Sequence, residues 1–137
     1  MVLAGSSVPV PLMLKVAPDL DNAEVGQIAE QVIACEFDGV IATNTTLSRD
    51  AVAGHQHARE AGGPSGRPLT QLSLRVLKQF RQALPENTTL VGVGGITHVE
   101  DAAAMLAAGA KALQIYTSFI YQGTEIVRKL VKDTLEA

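Results

Sequence analysis

Lys15 lies between Leu14 and Val16 in the run LMLKV (residues 12–16). A lysine inside so apolar a segment is expensive to bury unless an anion sits beside it. In an extended chain, alternation sets Met13 and Lys15 on one face and Leu12, Leu14 and Val16 on the other. The ordinary account is a rim lysine that lays its stem on apolar surface and sends its ammonium to water. The chemical account is a cation waiting for a negatively charged group. A second cluster, TNTT (43–46), gathers donors and acceptors where the run DGVIAT (38–43) ends, as either a turn or a binding site. A third, LVGVGGI (90–96), spends three positions of a strand-like segment on Gly92, Gly94 and Gly95. Interior strand glycines mark close approach of a backbone or a ligand. They also expose N–H groups just ahead of a helix that starts after Thr97, a geometry able to hold an anion. Tyr116, Thr117 and Ser118 close a fourth apolar run. GVGG is not the G-x-G-x-x-G dinucleotide fingerprint, and no acidic residue follows at the required distance, so the pattern points to a phosphate rather than a nicotinamide dinucleotide.

These clusters need a scaffold that delivers all of them to one place. Short apolar runs alternate with helical patterns four times. The strands are LMLKV (12–16), DGVIAT (38–43), LVGV (90–93) and ALQIY (112–116). Asp21 with Glu24 three residues on forms a capping box for a helix carrying Val25, Ile28, Ala29, Val32 and Ile33. A second helix is capped near Thr70, with Leu72, Val76, Leu77 and Phe80 as its stripe. THVE (97–100) reads as another capping box, leading into Val99, Ala102, Ala103 and Leu106 and stopped by Gly109. Ile126, Val127, Leu130 and Val131 mark a terminal helix. Repeated βα units predict an α/β fold with a parallel sheet, in which chemistry collects at the C-terminal strand ends. Two closures compete: a small open sheet, and half of a (β/α)8 barrel, whose full form takes about 250 residues.

The 137 residues suit a single domain over 1–137. A net charge of −3 without any Lys/Arg block disfavours nucleic acid as a partner. No apolar stretch approaches the ~18 residues of a membrane helix, and no signal-peptide pattern opens the chain. Cys35 cannot form an intrachain disulfide and reads as a packing residue on an apolar helical stripe. The expectation is a cytoplasmic chain with no membrane segment. The connection from Thr46 to Leu69 has no sustained periodicity and reads as a long solvated lid. His55 and His57 within it lack partners at ligand spacing, and His98 reads as a helix-surface residue, so no metal site is expected.

LKVAPDL (14–20), DGVIATNTT (38–46), GGPSGRPL (62–69), VGVGGI (91–96) and AGAKALQIYTSFIYQG (108–123) together carry a family resemblance. In this order and at these intervals they resemble the C-terminal part of the dihydroorotate dehydrogenases, in particular the quinone-dependent, membrane-associated class 2. The resemblance spans nearly the whole chain. It implies four βα units forming half of a (β/α)8 TIM barrel, with FMN as cofactor. The reaction it implies is oxidation of dihydroorotate to orotate in pyrimidine biosynthesis, with a quinone as final acceptor and the parent enzyme peripheral to the inner (cytoplasmic) membrane. Lys15 matches the lysine near the flavin ring, and Thr43 and Gly66 match flavin contacts. Gly95, Tyr116 and Thr117 match the cradle of the flavin phosphate, and Asn44 and Thr45 match the pair that binds substrate. Pro64 departs from the pattern, where an apolar residue other than proline is usual.

The resemblance also implies that the family's first half-barrel, with its serine general base and quinone tunnel, is not represented in these residues. Ser65, in PSGRP, belongs to the lid pattern and not to the base motif. No catalytic residue is therefore assigned, and the chain alone is expected to be inactive, its two open strand edges favouring self-association. Two rivals remain: a phosphate-substrate barrel synthase or isomerase, and a non-catalytic self-associating half-barrel.

Overall fold

The computed structural model describes residues 10–135. Four strands, β1 (Met13–Val16), β2 (Gly39–Ala42), β3 (Thr89–Val93) and β4 (Ala112–Gln114), form one parallel sheet in the order β1-β2-β3-β4. Between and after them run α1 (Asn22–Ala34), α2 (Thr70–Ala83), α3 (Val99–Ala107), α4 (Thr117–Gln122) and α5 (Glu125–Leu135). The register sets Lys15 beside Ile41, Ile41 beside Val91, and Val93 beside Gln114. The pairing continues past the strand ends, where Thr43 N donates to Val93 O at 2.7 Å and Asn44 N donates to Val16 O at 2.6 Å.

The helices pack on one face. Leu14, Val16, Val40, Ala42, Leu90 and Leu113 point from the sheet into a cluster completed by Val25, Ala29 and Val32 of α1, Val76, Leu77 and Phe80 of α2, Met105 of α3, and Ile126 and Leu130 of α5. Met13, Lys15, Ile41, Val91, Val93, Ala112 and Gln114 alternate onto the other face and take no part in that cluster. Such one-sided cover is half of what a parallel sheet normally needs.

Local chemistry explains the helix starts. The Asp21 box forms as expected, with Glu24 N donating to Asp21 Oδ1 and Asp21 N donating to Glu24 Oε2, both at 2.8 Å. The THVE box is displaced by one residue. His98 occupies the N-cap position, and Asp101 rather than Glu100 accepts from the N–H groups of Thr97 and His98 at 2.9 Å. Asp101 is the nearer carboxylate because Thr97 belongs to the loop, where its hydroxyl also donates to Asp101 at 3.0 Å.

Other expectations shift for tertiary reasons. Thr70 is the first residue of α2 and does not cap it; a 3-10 turn over Arg67–Leu69 precedes the helix, and the Thr70 hydroxyl donates to Arg67 O and Gly95 O. Cys35 terminates α1 as its C-cap and is exposed, because the buried stripe of Val25, Ala29 and Val32 has rotated away from it. The fourth strand ends at Gln114, two residues early, and the short helix α4 follows where the sequence pattern predicts none. The 46–69 connection is not featureless. It holds 3-10 turns at Asp50–Val52 and Arg67–Leu69, and Arg49 Nη2 spans it by donating to Glu60 O at 3.2 Å and to Gly62 O.

Candidate functional site at the strand ends

The C-terminal ends of all four strands open on one cavity of about 460 Å³. Lys15, Thr43, Asn44, Thr45, Gly66, Gly95, Tyr116 and Thr117, the eight residues matched by the family resemblance, all line it, as does Gly94; Gly92 does not, because the room of its missing side chain is taken by Leu113 and Met105. They come from four different connections, and parallel alignment of the strands is what brings them together.

β1 supplies Lys15, exposed on the uncovered face and absent from the three ion pairs found among the described residues. Its ammonium is thus free to meet an anionic group in the cavity. β2 supplies Thr43, buried at 2% exposure, behind a cis Ala42–Thr43 peptide. Thr43 donates through its hydroxyl to Asn44 O at 3.0 Å, and the Asn44 side-chain oxygen accepts from Thr45 N at 2.9 Å. That internal bond orients the Asn44 amide, leaving its NH₂ toward exposed surroundings. The connection beyond is pinned by Asp19, whose carboxylate accepts from the Thr46 hydroxyl and from Leu47 N at 3.0 Å.

The glycines of β3 are explained in part by the protein's own backbone. Gly95 has φ 76°, and a Cβ there would stand 2.5 Å from Thr70 Cα and closer still to its N and Oγ1. Gly95 is therefore required first by the approach of α2. The missing side chain thus makes room for α2, and the phosphate reading of these glycines concerns their backbone N–H groups alone. Ser73 completes the seam by donating to Gly94 O at 2.7 Å and Leu69 O at 2.9 Å. The hydroxyls of Thr70 and Ser73 thus satisfy the Gly95 and Gly94 carbonyls of this loop.

On the far side, Thr117 Oγ1 donates to Ser65 Oγ at 3.0 Å, joining α4 to the 62–69 segment. Gly66, with φ 77°, would bring a Cβ to 3.1 Å from Thr117 Cγ2. Tyr116 lines the cavity as well and is 76% exposed. One residue was missed by the sequence pattern. Ser118 is 4% exposed, lines the same cavity, and its Oγ has no hydrogen-bond partner. Its signal was present in the polar triplet after the fourth apolar run, but only burial separates this hydroxyl from an ordinary helix-start serine. Unsatisfied buried hydroxyls are uncommon and call for a partner. Gln79 Oε1, the other buried side-chain atom without a partner among the described residues, lies on α2 and does not line this cavity.

Asp101 sits just behind the cradle. Burial would raise its pKa, but the Thr97 and His98 N–H donors, the Thr97 hydroxyl and the nearby His98 ring outweigh that and hold it below the ordinary 3.8. An ionised carboxylate there fixes the start of α3 and with it the end of the glycine loop. Among the described residues no group of three or more His, Cys, Asp or Glu could hold a metal, and no helix is long and apolar enough to cross a membrane.

A parallel α/β sheet of four strands in sequence order, with helices on one face and a polar cavity at its strand ends, has the architecture of half of a (β/α)8 barrel. Comparison with known proteins makes that particular. A family profile for dihydroorotate dehydrogenase matches residues 3–137, and the chain belongs to that family. It is 52% identical over 128 residues to the dihydroorotate dehydrogenase (quinone) of Shewanella pealeana, covering 93% of this chain and 37% of that protein. The corresponding protein of Shewanella sp. strain ANA-3 is 50% identical over 123 residues, covering 90% and 36%. The ligand-free DHODH of Eimeria tenella superposes with a TM-score of 0.86 at 34% identity, covering 93% of this chain and 36% of that one. The same protein in complex with ferulenol gives 0.84 at 34% identity, covering 91% and 33%. The chain spans about a third of the length of these relatives, and its four βα units form half of a TIM barrel. The family assignment displaces the synthase or isomerase alternative.

Proposed function

We propose that this chain is the flavin-phosphate half of a quinone-dependent dihydroorotate dehydrogenase, with FMN as cofactor. The observation that carries the reading is the convergence of all eight family-matched positions on one cavity. The residues fit the cofactor's chemistry: Gly95 and the Tyr116–Thr117 backbone offer N–H donors to a phosphate, and Ser118 offers a buried hydroxyl that lacks a partner. Lys15 and Thr43 flank the remainder of the cavity, where a cation favours an electron-rich ring. Bound FMN would supply the acceptor for the hydride that leaves dihydroorotate as it becomes orotate, in pyrimidine biosynthesis.

Asn44 and Thr45 are placed to bind the substrate's polar edge, with the Asn44 amide oriented by its own bond to Thr45 N. Ser65 is engaged with Thr117 and belongs to the cofactor side, so it is not assigned the role of general base. The chain by itself binds flavin and does not turn over dihydroorotate. The whole enzyme passes its electrons to a quinone and contacts the cytoplasmic membrane peripherally, through segments other than these. The chain also self-associates, since half a barrel leaves two strand edges unpaired.

Titration of FMN into purified protein, followed by flavin fluorescence and visible absorbance, tests the reading. Saturable binding, competed by inorganic phosphate, is expected. No binding at tens of micromolar, or binding indifferent to Gly95→Ala, overturns it.

A further inference from the structure

Asn44 and Thr45 sit where the chain leaves the sheet, Asn44 exposed and Thr45 half-buried. Upstream, the sheet anchors them, since Asn44 N donates to Val16 O at 2.6 Å. The bond from Thr45 N to the Asn44 side chain orients one member of the pair against the other and ties neither to the rest of the protein. A segment tethered at one end keeps much of its backbone freedom, so a defined pair needs a second anchor downstream.

Asp19 supplies that anchor. Both carboxylate oxygens are engaged, Oδ1 by the Thr46 hydroxyl and Oδ2 by Leu47 N at 3.0 Å. Thr46 is 3% exposed, and its hydroxyl oxygen accepts in turn from Ser48 N at 3.0 Å. On the opposite side Gly63 lies against Thr45, but the bond there, Thr46 N to Pro64 O, is long at 3.4 Å. A hydroxyl and an N–H diverging from one turn call for an acceptor-only group with two oxygens, which an ionised carboxylate is. Its charge strengthens both bonds.

The carboxylate is delivered from a firm point. Pro18 is fully buried, Arg75 Nη2 of α2 donates to Pro18 O at 3.1 Å, and the Asp21 capping box starts α1 two residues on. Asp19 does not line the cavity, and it takes part in none of the three ion pairs found among the described residues. Its side chain ties the β1–α1 connection to the end of β2, across 27 residues of sequence.

We infer that Asp19 is a positioning residue for the substrate pair, holding Thr46 and Leu47 so that Asn44 and Thr45 meet the cavity in one conformation. This role rests on the substrate reading of Asn44 and Thr45 given above, and adds to it a residue that never touches the ligand.

Backbone amide NMR of the full chain, titrated with orotate in the presence and absence of FMN, tests this role. In Asp19→Ala the Asn44–Leu47 amides should shift and exchange with solvent roughly tenfold faster or more. Orotate should bind about tenfold more weakly. FMN affinity should stay within about twofold, since the phosphate cradle shares no partner with Asp19. Asp19→Asn keeps one acceptor oxygen and should recover part of the orotate affinity, a rescue that general loosening of the loop would not show. Asp50→Ala removes a carboxylate from the same connection, where it meets only Ser48, and should change neither amides nor affinities. Unmoved Asn44–Leu47 amides in Asp19→Ala, unchanged orotate affinity, or equal losses of orotate and FMN binding would overturn the inference. If the unaltered chain binds no orotate, the substrate reading fails instead, and the amide signals alone decide whether Asp19 sets the conformation of the pair.

Discussion

The two faces of the sheet are built from the same four strands and behave as different materials. On the helix side Val40, Ala42 and Leu90 have no measurable exposure, and Phe80, Leu77 and Val76 of α2 close over them equally completely. On the opposite side, one residue along each strand, Lys15, Ala112 and Gln114 are exposed, Met13, Ile41 and Val93 are half-buried, and Val91 is buried at 7% exposure. The covered face holds the fold; of its buried cluster Ile96 also lines the cavity, as does Ile115 packed against it. The uncovered face and the strand ends it leads to carry every family-matched site position. Stability and function have been assigned to alternate residues of the same segments.

That contrast is broken most forcefully from the covered side. Phe80→Ala should lower unfolding free energy by about 3–5 kcal/mol, the cost of emptying a fully buried aromatic site. Ile41→Ala, on the open face, should cost about 1 kcal/mol at concentrations where the chain is monomeric. Urea denaturation of both variants measures the difference, and equal losses would mean that the open face is packed after all.

Gly95→Ala attacks the seam where the faces meet the site. A side chain at φ 76° against Thr70 must move α2 or the loop, and the backbone strain alone is on the order of 1–3 kcal/mol. FMN affinity should fall by at least about tenfold along with thermal stability. Retention of both would show that the loop yields without consequence.

Ser118→Ala sharpens the comparison by touching only the site. Losing a single neutral donor should weaken FMN binding about five- to tenfold. The melting temperature should hold steady or rise slightly, since the hydroxyl has no partner in the protein. A loss of stability with unchanged FMN affinity would assign Ser118 to the fold instead.

The smallest effect is expected at Asp101. Its folded pKa is depressed, so its contribution to stability is fully present above 3.8 and is lost as pH falls through the lower folded value. Asp101→Asn should cost about 0.5–1 kcal/mol at neutral pH, the scale of a helix-start carboxylate. The penalty should vanish toward the acid end of the carboxylate range. Denaturation midpoints at neutral pH and in acid, compared between the two proteins, check the sign.

Much of this was legible in the residues. The four βα repeats follow from apolar periodicity, and the Asp21 box from two side chains three positions apart, because such patterns are local and the chain satisfies them wherever it folds. The family motifs likewise pointed to eight of the seventeen residues that line the cavity. Whether those positions perform the matched roles is left to the ligand measurements above. Other features depended on contacts distant in sequence. Asp101 rather than Glu100 closes the α3 start because the loop brings Thr97 around it, and Cys35 is exposed because it caps the end of α1, off the buried stripe of Val25, Ala29 and Val32. α4 escaped notice since six residues are too few to display a helical period. The glycine loop makes the same point at the site itself. From sequence, Gly95 announces only that something comes close. That the neighbour is the backbone of Thr70, twenty-five residues earlier, was decided by how α2 crosses the sheet, since steric room is a property of packed neighbours and not of any residue alone.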